Sequence, residues 1–271
     1  MAMNNPAFSR SDAFSDKPGA AAGVSASQLQ QMYDQPSYVP PIQTGTDRMT
    51  VDDTVMKSFI SFAVLLVGAV IGWVTTDTVP WLWMAAAFVG FILALVNIFK
   101  KEPSPGLILA YSGVQGIFLG GISMYYETAY PGIVLQAVLA TLAVVGVTLA
   151  LFATGRVRAS KRATKVFMIA MFGYLAFSLI NLFIMWFGGA DSNPWGLRGS
   201  VEIFGIPLGL FLGVFVVILG AYSLVLDFDF IQQGVRNQAP RKYGWTGAFG
   251  IMVTVIWLYL EILRMIAIAR D

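Results

Sequence analysis

The sequence predicts an all-α polytopic membrane protein with seven membrane-spanning helices. Its 271 residues are 57% apolar and only 12% charged, whereas soluble domains carry more charge. Seven apolar segments of about 20 residues, the length that crosses a bilayer as a helix, follow a polar N-terminal stretch. They lie near 56–76, 80–99, 106–126, 132–153, 164–187, 204–230 and 245–268.

The first fifty residues differ from the rest. They are rich in Ser, Gln, Pro, Gly and Ala and contain no apolar run long enough for a secretory signal. We interpret 1–50 as a disordered cytoplasmic tail and 51–271 as the transmembrane domain. Turn and charge signals separate the segments, in chain order: Asp77 to Pro80, then "KKEPSPG", "ETAYPG", "GRVRASKRATK", "GGADSNPWGLRGS" and "QQGVRNQAPRKYG".

Basic residues alternate between the loops. The loops after segments one, three and five hold only Arg198, whereas those after segments two, four and six hold ten basic residues. By the positive-inside rule the basic loops are cytoplasmic, which predicts a multi-pass protein of the inner (plasma) membrane with its N-terminus inside and its C-terminus outside. The ten are Lys100, Lys101, Arg156, Arg158, Lys161, Arg162, Lys165, Arg236, Arg241 and Lys242.

Several function classes are excluded by composition. The chain has no cysteine and no histidine, so thiol catalysis, Ser-His-Asp catalysis and His- or Cys-based metal sites are unavailable. No nucleotide-binding or hydrolase motif appears. We therefore expect neither an enzyme nor a cofactor, and a net charge of +2 indicates no nucleic-acid partner.

Two acids stand inside apolar segments, Asp227 in "AYSLVLDFDFIQQG" and Glu261 in "VTVIWLYLEILRMIAI". A carboxylate within the bilayer is costly, so such residues usually serve a function. If the two meet, they cannot both ionise cheaply and would share a proton. They reach the same level only if helix six continues past Asp227 and the chain folds back around residue 244. The alternative is an ion pair between Glu261 and Arg264, three residues further along the same helix face.

Further polar residues are secondary candidates. Asp229 lies two positions from Asp227, on another face of the helix, and Gln115 lies within segment three. Carboxylate oxygens suit calcium, but Asp227 and Glu261 alone would form only a weak site for an ion in transit.

The motifs resemble the Bax inhibitor-1/YccA (TMBIM) family over about residues 50–271. They are "LDFDFIQQG", "WLYLEILRMI", "GVQGIFLGGIS" and "SLINLF". The resemblance implies six helices around a central seventh, and a pH-sensitive calcium leak gated by two membrane-embedded carboxylates that share a proton. Asp227 and Glu261 match those acids, and Lys100 or Lys101 matches a basic latch.

The chain also departs from the family pattern. Glu261 stands where relatives commonly carry Asp, and Gln115 stands where many carry Glu. The alternative function implied by the YccA branch is a non-conducting regulator that binds a membrane-bound protease or another membrane partner. The N-terminal tail would then be the natural contact arm.

Overall fold

The described residues form seven long helices, each apolar enough to cross a membrane. This computed structural model describes residues 48–187 and 193–271. The predicted tail, 1–50, lies outside the described residues except for its last three. The helices are α1 (Val51–Thr75), α2 (Leu82–Phe99), α3 (Pro105–Ala129), α4 (Ile133–Ala153), α5 (Lys161–Phe187), α7 (Leu208–Arg236) and α8 (Gly244–Arg270).

Short elements complete the connections. A one-turn helix, α6 (Leu197–Ser200), and a two-stranded antiparallel ribbon, β1 (Glu202–Ile203) and β2 (Ile206–Pro207), lie between α5 and α7. A 3₁₀ turn, Arg241–Tyr243, leads into α8. The predicted all-α, seven-helix membrane fold is confirmed, and the predicted segments agree with the observed helices to within a few residues at most ends.

The last helix is the most buried of the seven. α8 packs against α1, α3, α4 and α7, and its side chains supply much of the apolar core. α2 and α5 are mainly exposed to the surroundings, as expected for helices that face lipid. Side chains on α8 are therefore the ones most able to meet partners from several helices at once.

α1 and α3 approach each other through small residues. A Cβ added at Gly68 would overlap the carbonyl oxygen of Gly113, and one added at Gly116 would overlap that of Leu65. Gly72 and Gly120 make the same kind of contact one turn further along. Small residues four apart permit such close helix packing in membranes.

The start of α1 is joined to the α7–α8 turn. The amide of Met49 donates to the carbonyl of Ala239, and Asp53 forms ion pairs with Lys57 and Arg241. Thr50 caps α1 by accepting a hydrogen bond from the Asp53 amide, which satisfies one of the free donors at a helix start. The turn between α7 and α8 is thus held by the last residues of the predicted tail and the first turns of α1.

Candidate ion and proton site

Asp227 lies on α7 with its carboxylate against α8. The hydroxyl of Thr254 donates to Asp227 Oδ2 at 2.7 Å, and Ser223 Oγ is 3.2 Å from the same hydroxyl. A Cβ added at Gly250 would lie 2.8 Å from Asp227 Oδ1, so the absence of a side chain at Gly250 leaves room for the carboxylate. Within the described part of the chain, Asp227 has no ion-pair partner.

The register between α7 and α8 decides which residues face Asp227. Gly220 packs against Leu258, Gly213 against Met265, and Gly247 against Ile231. The midpoint of each of these pairs lies near residue 239, so the two helices are antiparallel around that point. Asp227 is therefore level with the stretch from Gly250 to Thr254.

Glu261 is buried within a separate cluster. Arg198 Nη1 donates to Glu261 Oε1 at 2.9 Å, and Arg264 Nη1 donates to Oε2 at 2.8 Å. The hydroxyl of Tyr174 donates to Oε2 at 2.7 Å. Glu261 is only 2% exposed, and both of its oxygens accept charge-assisted hydrogen bonds, the strong kind.

Arg198 lies at the centre of this cluster and belongs to the one-turn helix α6. Besides Glu261 it donates from Nη2 to Tyr174 at 2.9 Å and to Ser178 at 3.1 Å. Its guanidinium also lies over the rings of Tyr174 and Phe177. We call Tyr174, Ser178, Arg198, Glu261 and Arg264 the arginine cluster.

Backbone geometry directs Arg198 inward. Asn181 on α5 accepts a hydrogen bond from the Leu197 amide at 2.7 Å and so anchors the start of α6. The preceding residue, Gly196, has φ of 60°, a conformation that favours glycine, and a Cβ there would meet the Asn181 side chain. Asn181 and Gly196 thus orient a short loop helix so that its arginine is buried.

The two acids do not meet. Glu261 lies seven positions beyond Thr254 on α8, roughly 10 Å of helix rise, and takes Arg198 and Arg264 as partners. Of the two alternatives left open by the sequence, the ion pair with Arg264 is present and the pair with Asp227 is not. Helix six does continue past Asp227, to Arg236, but the chain folds back near 239 rather than 244.

The remaining predicted residues lie elsewhere. Lys100 and Lys101 are exposed and form no ion pair with Asp227. Asp229 accepts a hydrogen bond from Gln233 and lies 4.0 Å from Arg236. The amide oxygen of Gln115 lies against Gly90 of α2 and has no hydrogen-bond partner within the described ranges.

The chemistry of the two sites differs. Guanidinium groups already occupy both oxygens of Glu261, so that carboxylate has little capacity left for a metal ion. Asp227 offers two oxygens, of which one accepts a single neutral hydrogen bond. Among residues 48–187 and 193–271, no cluster of three or more acidic, His or Cys side chains could hold a metal.

Comparison with known families places this geometry in context. A family model described as Bax inhibitor 1 like matches residues 5–271. The chain belongs to this Bax inhibitor 1 like family. The match begins at residue 5 and so extends into the N-terminal segment, which the sequence resemblance had left out. Comparison with curated proteins finds no significant match.

The sequence of this Bax inhibitor 1 like protein did not predict five side chains of these sites, namely Tyr174, Ser178, Arg198, Ser223 and Thr254. Thr254 is an ordinary residue of an apolar helix until its register with Asp227 is known. Arg198 did leave a signal, because it is the one basic residue in the loops after segments one, three and five. A lone cation on that side of the membrane is a reason to look for a buried acid.

Proposed function

We propose that this protein is a proton-sensitive leak for cations of the calcium class. In this proposal Asp227 alone is the site that binds either a proton or a cation. The observation that carries the proposal is the lack of any cation beside Asp227 in the described residues, although its helix is membrane-spanning. A lone carboxylate in such surroundings is stable when it binds a proton or a cation. This replaces the pair of carboxylates that share a proton.

The ligand type supports a hard cation. Calcium takes oxygen ligands from carboxylates, hydroxyl-bearing neighbours, carbonyls and water. Asp227 supplies one carboxylate, and Thr254 and Ser223 supply hydroxyl oxygens next to it. One carboxylate cannot hold calcium tightly, which suits an ion that passes through and does not remain.

A third hydroxyl lies at the same level. Thr54 of α1 packs against Gly247 of α8, and the two helices run parallel, so Ser61 is level with Thr254 seven residues further along. Ser61 is 0% exposed, and its hydroxyl has no hydrogen-bond partner within the described ranges. A buried polar atom without a protein partner needs an explanation, and a bound water or ion is one of them, which supports a polar path at this depth.

The arginine cluster is proposed to close the other end of the path. A cavity of about 640 Å³ adjoins it, and Arg198 and Arg264 both line that cavity. A cation that enters from this side meets two guanidinium groups before it reaches Glu261. With the N-terminus cytoplasmic, as the basic loops predict, this closed end faces outward.

The test is calcium flux into liposomes as a function of pH, for wild type, Asp227→Asn and Asp229→Asn. We expect wild-type flux to rise with pH, because an ionised Asp227 attracts cations and a protonated one does not. Asp227→Asn cannot ionise, so its flux should be independent of pH. Asp229→Asn is the matched control and should keep the wild-type profile. A pH-dependent flux that survives in Asp227→Asn rejects the proposal.

One observation favours a second candidate function, that of a non-conducting regulator that binds a membrane partner. Arg48 and Met49, which lie at the end of the predicted tail, pair with Pro240 and Ala239 in the α7–α8 turn. A partner that pulls on the tail would therefore act on the helix that carries Asp227. No flux from wild type at any pH, together with loss of partner pull-down on deletion of residues 1–48, would favour this candidate.

A further inference from the structure

We propose that a crevice between α1 and α4 binds one acyl chain of a phospholipid. The crevice has a volume of about 490 Å³, and α3 and α8 form its floor. We call it the acyl crevice. It lies mainly on the opposite face of α8 from Thr254 and Glu261, because three of its four α8 residues, Met252, Ile256 and Tyr259, are two positions away from one of these polar groups.

The lining of the crevice is apolar, and its hydroxyl groups form hydrogen bonds within the protein. No charged residue lines the crevice. Its hydroxyl groups have partners within the protein: Ser123 and Tyr259 hydrogen-bond to each other, and Thr141 donates to the carbonyl of Ala137. Water needs several polar partners to occupy a cavity, and an ion needs more. The walls therefore select hydrocarbon.

The length of the crevice matches one leaflet. Along α1 it extends from Phe62 to Val74, twelve residues or about 18 Å of helix rise. Half of the hydrocarbon core of a bilayer is about 15 Å. The crevice lies at the α3–α4 loop end of the bundle, since its α4 residues begin at Val134. One extended lipid tail spans this distance.

The crevice is open towards the bilayer. Val70 and Val74 on one rim are 64% and 67% exposed, and Leu142 on the other is 53% exposed. Both rims belong to membrane-spanning helices, so the material outside the opening is lipid. An unfilled apolar gap forfeits dispersion contacts on its whole lining, and the nearest molecule that can supply them is a lipid tail.

The test is native mass spectrometry after reconstitution into phosphatidylglycerol or phosphatidylethanolamine vesicles with long chains, followed by exchange into detergent. Wild type should retain one lipid with either headgroup. Val138→Trp fills the crevice and should lose the one-lipid adduct. Leu139→Trp is the control, because Leu139 lies on the same helix, is 58% exposed and does not line the crevice.

Several results would overturn the proposal. A wild-type protein without an adduct would do so, as would an adduct that survives in Val138→Trp or is lost equally in Leu139→Trp. Dihexanoyl lipids, which have the headgroup but short tails, should not be retained. Should Val138→Trp aggregate on gel filtration, Leu142→Trp on the rim gives the same comparison. None of these outcomes depends on cation flux, so this proposal and the leak fail independently.

Discussion

Replacement of Arg198 by Met should lower the free energy of unfolding by about 3–5 kcal/mol, because it leaves Glu261 buried with part of its compensating charge removed. Arg198 is 4% exposed and Glu261 2% exposed, so the pair is largely removed from solvent although the cavity adjoins it. Methionine keeps most of the side-chain length, which limits the cavity. Denaturation with SDS in detergent micelles, followed by circular dichroism, measures the change.

Two further variants make this result specific to the buried charge. Arg264→Met should cost less, because the Arg264 side chain is 35% exposed and its loss leaves Glu261 bound to Arg198. The double variant Arg198→Met and Glu261→Met should recover most of the lost stability, since no buried carboxylate then remains. If Arg198→Met is as stable as wild type, or if the double variant is the least stable, the ion pair between Arg198 and Glu261 does not hold α6 against α8.

Replacement of Gly116 by Ala should destabilise the protein by about 1–3 kcal/mol, the usual effect of overpacking. A methyl group there would overlap the carbonyl oxygen of Leu65 and lie 3.0 Å from Gly68 Cα. Both are backbone atoms, so α1 and α3 can relieve the contact only by moving apart. The same SDS titration measures the loss.

Gly146→Ala is the matched control for this change. Gly146 lies within α4, and a Cβ there would meet nothing within 4 Å. Because alanine is the better helix former, this variant should be neutral or more stable by up to about 1 kcal/mol. Equal effects of the two substitutions would show that close α1–α3 packing contributes little.

Much of the fold could be read from the sequence because it depends on local length and polarity. A helix that spans about 30 Å of hydrocarbon needs about 20 apolar residues, and seven such segments are present. Asp227 and Glu261 could be recognised as candidates because a carboxylate within the bilayer is unfavourable in free energy.

The geometry of the candidate site was harder to predict from the sequence, and the α7–α8 turn shows why. A turn centred at 244 would bring Asp227 level with Glu261, whereas the observed centre near 239 brings it level with residue 251. In an antiparallel pair each residue of error in the turn counts twice, so five residues become ten, about 15 Å along the helix. No local pattern locates a turn that precisely.

Seven membrane-spanning segments and two acids within them can be read from the chain, because both follow from the order of polar and apolar residues. The binding of Glu261 by arginines and the contact of Asp227 with Thr254 could not be read in this way. These outcomes depend on the register of α8 and on Arg198, a residue of the one-turn helix α6 that lies 63 positions from its partner. Charged side chains form an ion pair only where the packing of the helices brings them close together in space.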